Sequence, residues 1–314
     1  MVKWTAAGDE ITLLPTKGEA LVTDVREHGL KIDCEGNSLV AVLSKPAEPA
    51  ARGGLIVVGG PQYRAGSHRQ FVLLARHLAA NGIPAMRFDY RGMGDGEGAA
   101  RTFESVDADL RAATDSFFAH CAGLKEVVIW GLCDAASAAS FYAHQDPRVR
   151  ALVLVNPWVR SEQGIARAYL KHYYIRRLFN PQLWRKIMAG AFDAKAAGRS
   201  LVGMISGAIR GRSTANGESA ADSTLSNAGT AAPLADRMAD GLACFNGQVL
   251  FILSGRDLTA QEFKDSIAGS PQWHKLLASS AMARRDLADA DHTFSRREWR
   301  DQVAGWTVEW LNSW

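Results

Sequence analysis

Short apolar segments that alternate with segments of helical periodicity constrain the fold of this chain more than any other feature. The predicted strands of this series are Gly54–Val58, Ile83–Tyr90, Glu126–Trp130, Ala151–Asn156 and Gln248–Ser254. Continuous apolar runs are typical of strands that are buried on both faces, as in parallel sheets. Strands and helices in alternation build such a sheet. The sequence therefore predicts an α/β fold with a mostly parallel central sheet and helices on both faces.

The series of strands is interrupted once. Between Pro157 and Phe245 the sequence predicts helices but no buried strand, and Ser213–Ala232 is rich in Ser, Thr, Ala, Gly and Asn without periodicity. A structureless stretch of about 20 residues in a compact domain is typical of a lid segment or of a disordered segment. We expect residues 1–157 and 246–314 to form the core. Residues 158–245 are predicted to be an inserted helical lid that is mobile at 213–232.

Composition excludes several classes of protein. The chain has 314 residues, of which 47% are hydrophobic and 22% charged, and these are ordinary globular values. No apolar run approaches the roughly 18 residues that a transmembrane helix needs. The first ten residues lack a signal pattern, and the four cysteines have no metal-type spacing. We therefore expect reduced thiols, no cofactor, no metal and a cytoplasmic location.

The strand at Glu126–Trp130 runs into the sequence Gly131-Leu132-Cys133-Asp134-Ala135, which precedes a predicted helix. This is the strand–turn–helix context of a nucleophile elbow, with Cys133 in the position that a serine usually holds. The tight turn requires small residues on both sides of the nucleophile, and Gly131 and Ala135 satisfy that requirement. The pattern predicts that Cys133 is a nucleophile.

An elbow of this kind predicts an acid and then a histidine further along the chain. Asp257 follows the strand Gln248–Ser254, and His292 lies in a loop before the last predicted helix. The predicted roles are Cys133 as nucleophile, His292 as base and then acid, and Asp257 as the group that orients the imidazole. Asp289 and Asp291 are alternative partners for the histidine.

An oxyanion hole needs two backbone N–H groups. One is predicted to be that of Asp134, the residue after the nucleophile. The second is expected from the loop after Gly54–Val58, where Pro61 has no N–H to donate. Gly60 and Gln62 both remain as candidates. The Asp134 carboxylate is expected to point away from the sulfur, because a facing negative charge would disfavour the thiolate.

The chain resembles the α/β-hydrolase superfamily. Gly59-Gly60-Pro61-Gln62 is similar to the oxyanion loop of that superfamily, although its usual His is absent, and Phe88–Asp95 is similar to its D-x-R-G-x-G-x-S loop. A cysteine at the elbow resembles dienelactone hydrolase. The segments GGPQYRAGSHRQF, FDYRGMGD and GLCDAAS resemble more narrowly the exosortase-A-associated hydrolase subfamily, type one. That resemblance implies a link to exopolysaccharide and exosortase systems.

The choice of cysteine favours particular substrates. A thiolate is a good leaving group, so an acyl enzyme forms efficiently only when the substrate's own leaving group is comparable, as in a thioester or activated ester. We expect a thioesterase or esterase that works through an acyl-cysteine intermediate. An acyltransferase that uses the same residues is one alternative. A catalytically silent binding partner in polysaccharide export is another.

Charge is unevenly distributed along the chain. The net charge is +3, but Arg160–Arg212 contains eleven Lys and Arg against two acids, so this segment carries +9 and the remainder −6. The alternatives for the segment are a solvated helix face, recruitment of an anionic acyl carrier, and peripheral contact with an anionic inner-membrane surface. No nucleic-acid motif accompanies the charge, so we expect no nucleic-acid partner.

The residues expected to line the substrate site are Tyr63, Arg64, His68, Trp158 and Tyr173.

Overall fold

The structure is a computed structural model, and it describes residues 25–60, 62–159 and 232–314. The described residues contain an eight-stranded sheet. Its strands are β1 (Arg26–Cys34), β2 (Asn37–Lys45), β3 (Arg52–Val57), β4 (Ala85–Asp89), β5 (Glu126–Leu132), β6 (Val149–Val155), β7 (Gln248–Ser254) and β8 (Met282–Leu287). The strands β3 to β7 are almost wholly buried, as the continuous apolar runs of β3 and β5 to β7 predict.

The strand order is β1-β2-β4-β3-β5-β6-β7-β8. The pairs β1/β2 and β2/β4 are antiparallel, and every other neighbouring pair is parallel. The predicted α/β architecture with a mostly parallel sheet is confirmed. After β3 the chain forms β4 on one side, and β5 then pairs with β3 on the other side. The carboxyl ends of β3 and β5 therefore lie beside each other at a topological switch point, where α/β sheets commonly bind ligands.

Helices cover both faces of the sheet. Their bounds are α1 (Gln70–Ala80), α2 (Asp107–His120), α3 (Asp134–Tyr142), α4 (Leu234–Cys244), α5 (Leu258–Ile267), α6 (Pro271–Leu277) and α7 (Arg297–Leu311). One apolar cluster joins the sheet to α2, α3, α4, α5 and α6, and a second joins its other face to α1 and α7. Helices α5 and α6 were not predicted from the sequence, although each begins at a capping side chain, Asp257 and Ser270 respectively.

The predicted lid lies mostly in residues 160–231, which are outside the described residues. Its last part is described: helix α4 buries Met238, Ala239 and Leu242 in the core and packs against α3. Within the described ranges, no helix is both long and apolar enough to cross a membrane.

Candidate active site

Cys133 lies at the carboxyl end of β5 and directly precedes α3. Its backbone has φ 64° and ψ −126°, a conformation that residues with a side chain rarely adopt. Three backbone hydrogen bonds hold it: its N–H donates to Val155 O (2.9 Å), and its carbonyl accepts from Ala136 N (3.0 Å) and Trp158 N (3.2 Å). The strained turn places Cys133 before the first N–H groups of α3, where negative charge is stabilised.

The small residues around Cys133 are a steric requirement. A Cβ atom added to Gly131 would lie 2.6 Å from Ala135 O and 2.8 Å from Ala136 N, well inside contact distance. Ala135 is itself buried. The helix therefore turns back onto β5 so closely that only glycine fits at 131.

His292 and Asp257 reach the same edge of the sheet from β8 and β7. The Nδ1 atom of His292 lies 2.8 Å from Asp257 Oδ2, and the two side chains are 32% and 6% exposed. Asp257 also accepts hydrogen bonds from the N–H groups of Thr259 and Ala260, both at 3.1 Å, so it is the N-cap of α5. Its carboxylate is thus fixed on one side by the helix and presents its remaining lone pairs to the imidazole.

The electrostatics of His292 follow from these partners. Burial by itself would lower the pKa of His292, but hydrogen bonds to Asp257 and to Cys133 outweigh burial and raise the pKa to about 10. The imidazole is therefore held between a carboxylate and the sulfur. A catalytic triad of nucleophile, base and orienting acid requires this arrangement. The alternative acids are engaged elsewhere, Asp289 with Arg256 and Asp291 with Ser295.

A buried polar network that sequence analysis missed braces the His292 loop. Asn156, at φ 43° after β6, donates from Nδ2 to Ser254 Oγ (2.9 Å) and to His292 O (3.1 Å), and its Oδ1 accepts from Ser254 N (2.8 Å). Ser254 Oγ in turn donates to Asp291 O at 2.9 Å. Asn156 is fully buried. The sequence offered one signal for this network, because Asn156 is a polar residue at the end of a continuous apolar strand.

The structure separates the two candidates for the second oxyanion donor. The N–H of Gln62 donates to Gly60 O at 2.8 Å and is therefore already used. The N–H of Gly60 points across to the start of α3, where it donates to Asp134 Oδ1 at 2.7 Å and Oδ2 at 3.0 Å. Gly60 N–H is thus the donor that faces the elbow, and the Asp134 carboxylate lies on it.

The predicted lining residues have different environments. Arg64 is engaged with the buried Asp89 and with Asp95, so it ties the loop after β3 to the loop after β4. Tyr63 is 52% exposed, and His68 is exposed with φ 53°. Burial raises the pKa of Asp291, but the hydrogen bonds from Ser295 and Thr293 outweigh burial and lower it overall.

Trp158 and Tyr173 complete that set. Trp158 is half-buried, and its backbone contacts both the elbow and α3, because its N–H donates to Cys133 O and its carbonyl accepts from Ser137 Oγ at 2.6 Å. Tyr173 lies outside the described residues. In the described part of the chain, no group of three or more His, Cys, Asp or Glu side chains is placed to hold a metal ion.

Comparisons with known proteins agree with this geometry at the level of the fold. A family model described as serine aminopeptidase, S33, matches residues 51–204, a range that includes β3, β5 and Cys133. The nucleophile that this description names is a serine, and the present chain has a cysteine at the elbow. No curated protein matches the chain.

Solved structures match over almost the whole chain at low identity. An esterase from Pyrococcus furiosus, Pf2001, aligns with a TM-score of 0.58 and 12% identity over 92% of this chain and 93% of its own. Est1E from Butyrivibrio proteoclasticus, with ferulic acid bound, aligns with a TM-score of 0.55 and 14% identity over 90% and 97%. The chain has the α/β-hydrolase fold.

Proposed function

We propose that the protein cleaves an activated acyl substrate, a thioester or activated ester, through an acyl intermediate on Cys133. The observation that carries the proposal is the position of Cys133 at the strained start of α3, beside a histidine that Asp257 orients and whose pKa Asp257 and Cys133 raise. A buried cysteine with no such partners is ordinarily an inert apolar residue.

The first half of the reaction is acyl transfer to the protein. The Cys133 sulfur attacks the carbonyl carbon, His292 holds the thiol proton, and the carbonyl oxygen becomes an oxyanion near the N–H groups at the start of α3. When the tetrahedral intermediate collapses, the C–S or C–O bond of the substrate breaks and His292 gives its proton to the leaving group. Asp257 stabilises the imidazolium during this exchange.

The second half removes the acyl group. Water gives a proton to His292 and attacks the acyl-Cys133 carbonyl, and collapse of the second intermediate returns the thiol and releases a carboxylic acid. An alcohol or amine in the place of water would make the same intermediate the donor of an acyl transfer. Hydrolysis and transfer therefore differ only in the acceptor.

Leaving-group ability limits the substrate. The tetrahedral intermediate expels its better leaving group, and a thiolate is better than an alkoxide. With an alkyl ester the intermediate therefore returns mostly to reactants, whereas with a thioester the two sulfurs compete on similar terms. Thioesters and activated esters are therefore favoured as substrates over simple esters or amides.

The basic segment Arg160–Arg212 supports a proposal about the partner. Its charge of +9 favours a substrate whose carrier is anionic, such as a phosphate-containing thiol carrier, or an anionic surface on which that substrate is presented. The proposed link to exopolysaccharide synthesis rests on sequence resemblance, and a lipid-anchored anionic saccharide is consistent with it.

Intact-mass spectrometry tests the proposed function. The protein is mixed for milliseconds to seconds with acyl thioesters of increasing chain length, quenched in acid and weighed. We expect one acyl adduct that maps to Cys133, and its loss in Cys133→Ala. Cys244→Ala is the matched control, because Cys244 is an exposed free thiol at the end of α4.

Three results would count against the proposal. Turnover that survives in Cys133→Ala would place the reaction elsewhere. Full thioester activity in Cys133→Ser would contradict the leaving-group argument. No adduct and no turnover with any thioester or activated ester would favour the catalytically silent binding partner. Diversion of the product by added alcohol or amine would identify an acyltransferase.

A further inference from the structure

The Asp134 carboxylate binds the backbone N–H of Gly60, the donor that an oxyanion hole at Cys133 would use. Both oxygens accept from the N–H of Gly60, at 2.7 and 3.0 Å. The N–H groups of Ala135 and of Asp134 itself also hydrogen-bond to it, and they act to lower its pKa. The donors available to a tetrahedral intermediate on Cys133 are therefore already bound to a charged side chain of the protein.

Local sequence explains why the side chain lies there. Asp134 is the first residue of α3, where the N–H groups have no partner within the helix and the helix dipole attracts negative charge. Gly59 provides the space, since a Cβ at that position would lie 2.2 Å from Asp134 Oδ1. A carboxylate on a short side chain can then bridge α3 and the loop after β3.

A carboxylate at this position has two consequences for a substrate. Its oxygens compete with the substrate oxygen for the same donors, so the side chain has to turn away before the oxyanion can bind. Its negative charge also repels any anionic group placed next to the reacting carbonyl. Burial raises the pKa of Asp134 more than the backbone N–H groups and His292 lower it, so the charge is held there at a cost in solvation.

We propose that Asp134 is a specificity-determining residue that competes with the substrate oxyanion for the N–H groups of Gly60 and α3. It selects acyl groups that carry no negative charge next to the reacting carbonyl. This inference rests on the proposed acyl chemistry of Cys133. It is compatible with an anionic carrier, because the carrier is attached at the leaving-group side of the carbonyl and lies further from Asp134.

Kinetics with a matched pair of thioesters test the inference. Propionyl and malonyl thioesters of the same small thiol are compared in wild type, Asp134→Asn and Asp134→Ala. The asparagine keeps the shape of the side chain without its charge, and the alanine vacates the donors. Removal of a like charge at a few ångströms changes a rate by about tenfold or more. We therefore expect a rise of that size in kcat/KM for propionyl and a larger rise for malonyl in both variants.

Alkylation of Cys133 provides a second measurement that does not depend on turnover. Iodoacetate is anionic and iodoacetamide is neutral, so the ratio of their rates at Cys133 reports the charge beside the sulfur. Both variants are expected to shift this ratio toward iodoacetate. Asp289→Asn is the matched control, because it removes an exposed carboxylate at the same edge of the sheet without touching the donors. It should leave both ratios unchanged.

The outcomes separate this inference from the proposed function. If no thioester reacts but the alkylation ratio shifts as expected, the proposed function is wrong. The conclusion that Asp134 places a negative charge next to Cys133 is then still supported. If folded Asp134→Asn and Asp134→Ala react more slowly with propionyl thioester, Asp134 assists the reaction and the inference is overturned. An unchanged malonyl-to-propionyl ratio together with an unchanged alkylation ratio would overturn it as well.

Discussion

Contact with a neighbour a few ångströms away determines which residue, or which backbone conformation, is possible at several positions of this site. Gly131 has to be glycine because the start of α3 passes over it, and Gly59 has to be glycine because the Asp134 carboxylate occupies the space of a side chain. Cys133 adopts a positive φ because the strand before it and the helix after it fix its two ends. The site thus depends on residues that take no part in chemistry.

Gly131→Ala is expected to destabilise the protein by about 1–3 kcal/mol, the usual cost of overpacking a well-packed site. The added methyl group would lie 2.6–2.8 Å from backbone atoms of Ala135 and Ala136, and backbone cannot rotate away as a side chain can. Urea denaturation measures the change in the free energy of unfolding.

Gly305→Ala is the control for Gly131→Ala. Gly305 lies within α7, and a Cβ there would meet no atom within 4 Å. We expect this second variant to stabilise the protein by about 0.5–1 kcal/mol, because alanine is the better helix former. Similar losses in both variants would contradict the steric argument.

The raised pKa of His292 predicts how stability depends on pH. The folded protein keeps the imidazolium up to a pKa of about 10, whereas the unfolded chain loses that proton near the ordinary value of 6.5. The folded state therefore binds more protons between these values, and the contribution of His292 to stability is fully present below about pH 6.5 and is lost as pH rises through about 10.

The measurement is the free energy of unfolding of wild type and of His292→Ala across pH 6 to 10. We expect the advantage of wild type over the variant to shrink steadily across this range. A difference that stays constant, or that grows with pH, would show that His292 is not held as an imidazolium by Asp257 and Cys133.

At the scale of elements, the carboxyl ends of the parallel strands bring the residues of the proposed triad to one edge of the sheet. β5 provides Cys133, β7 leads to Asp257, β8 leads to His292, and β6 leads to Asn156, which ties the last two loops together. Asp257 has two duties, because the side chain that orients His292 also caps α5. The position of the imidazole is therefore coupled to the formation of a helix.

Two substitutions separate the two roles of Asp257, which are to orient His292 and to cap α5. Asparagine also accepts hydrogen bonds from the first turn of a helix, so Asp257→Asn should keep the cap and most of the stability. It should nevertheless lower kcat strongly, since the amide cannot stabilise the imidazolium or fix its tautomer as a carboxylate does. Asp257→Ala should lose the same activity and about 1 kcal/mol of stability as well.

Thermal unfolding and thioester turnover, measured on both variants, provide the comparison. Ser270→Ala is a control for the cap alone, because Ser270 caps α6 away from the reacting groups and should lower stability without lowering kcat. Wild-type turnover in Asp257→Asn would indicate that another group orients His292.

The sequence predicted the strands better than the contacts between loops. Buried parallel strands consist of continuous apolar runs, so β3 and β5 to β7 were evident, and with β5 and β7 the positions of Cys133 and Asp257 directly after them. Helices α5 and α6 were missed because they are short and their apolar positions are few. The direction of the Asp134 carboxylate and the bonds of Asn156 depend on how loops distant in sequence approach each other, and no local pattern encodes that approach.

At the scale of the whole molecule, the near-neutral net charge of +3 is the sum of a strongly basic segment and an acidic remainder. The segment Arg160–Arg212 carries +9, and the rest of the chain carries −6. Many of the acids in the described core are already bonded within it, such as Asp109 to Arg91 and Glu27 to Arg76 and Arg87. We therefore propose the basic segment as the part of the chain that attracts an anionic partner.

Binding to anionic vesicles is expected to depend on salt and on the basic segment. A Lys or Arg near an anionic bilayer contributes about 1 kcal/mol, and the Debye length falls from about 10 Å at 0.1 M salt to about 3 Å at 1 M. Wild type should sediment with vesicles of phosphatidylcholine and phosphatidylserine at 0.1 M salt and be released at 1 M. Pure phosphatidylcholine vesicles should not retain it.

Two sets of four substitutions to glutamine locate the charge that matters. One set changes Arg176, Arg177, Arg185 and Lys186 within the basic segment. The matched set changes Lys275, Arg285, Arg296 and Arg297, which are exposed on the described core. Both sets lower the net charge by the same amount, so a general electrostatic effect would weaken binding equally in the two proteins.

Because the proposal assigns the attraction to the basic segment, the first set of substitutions should abolish vesicle binding at 0.1 M salt. The second set should leave most of the vesicle binding in place. Equal losses would reduce the membrane proposal to a property of net charge, and salt-insensitive binding would remove it.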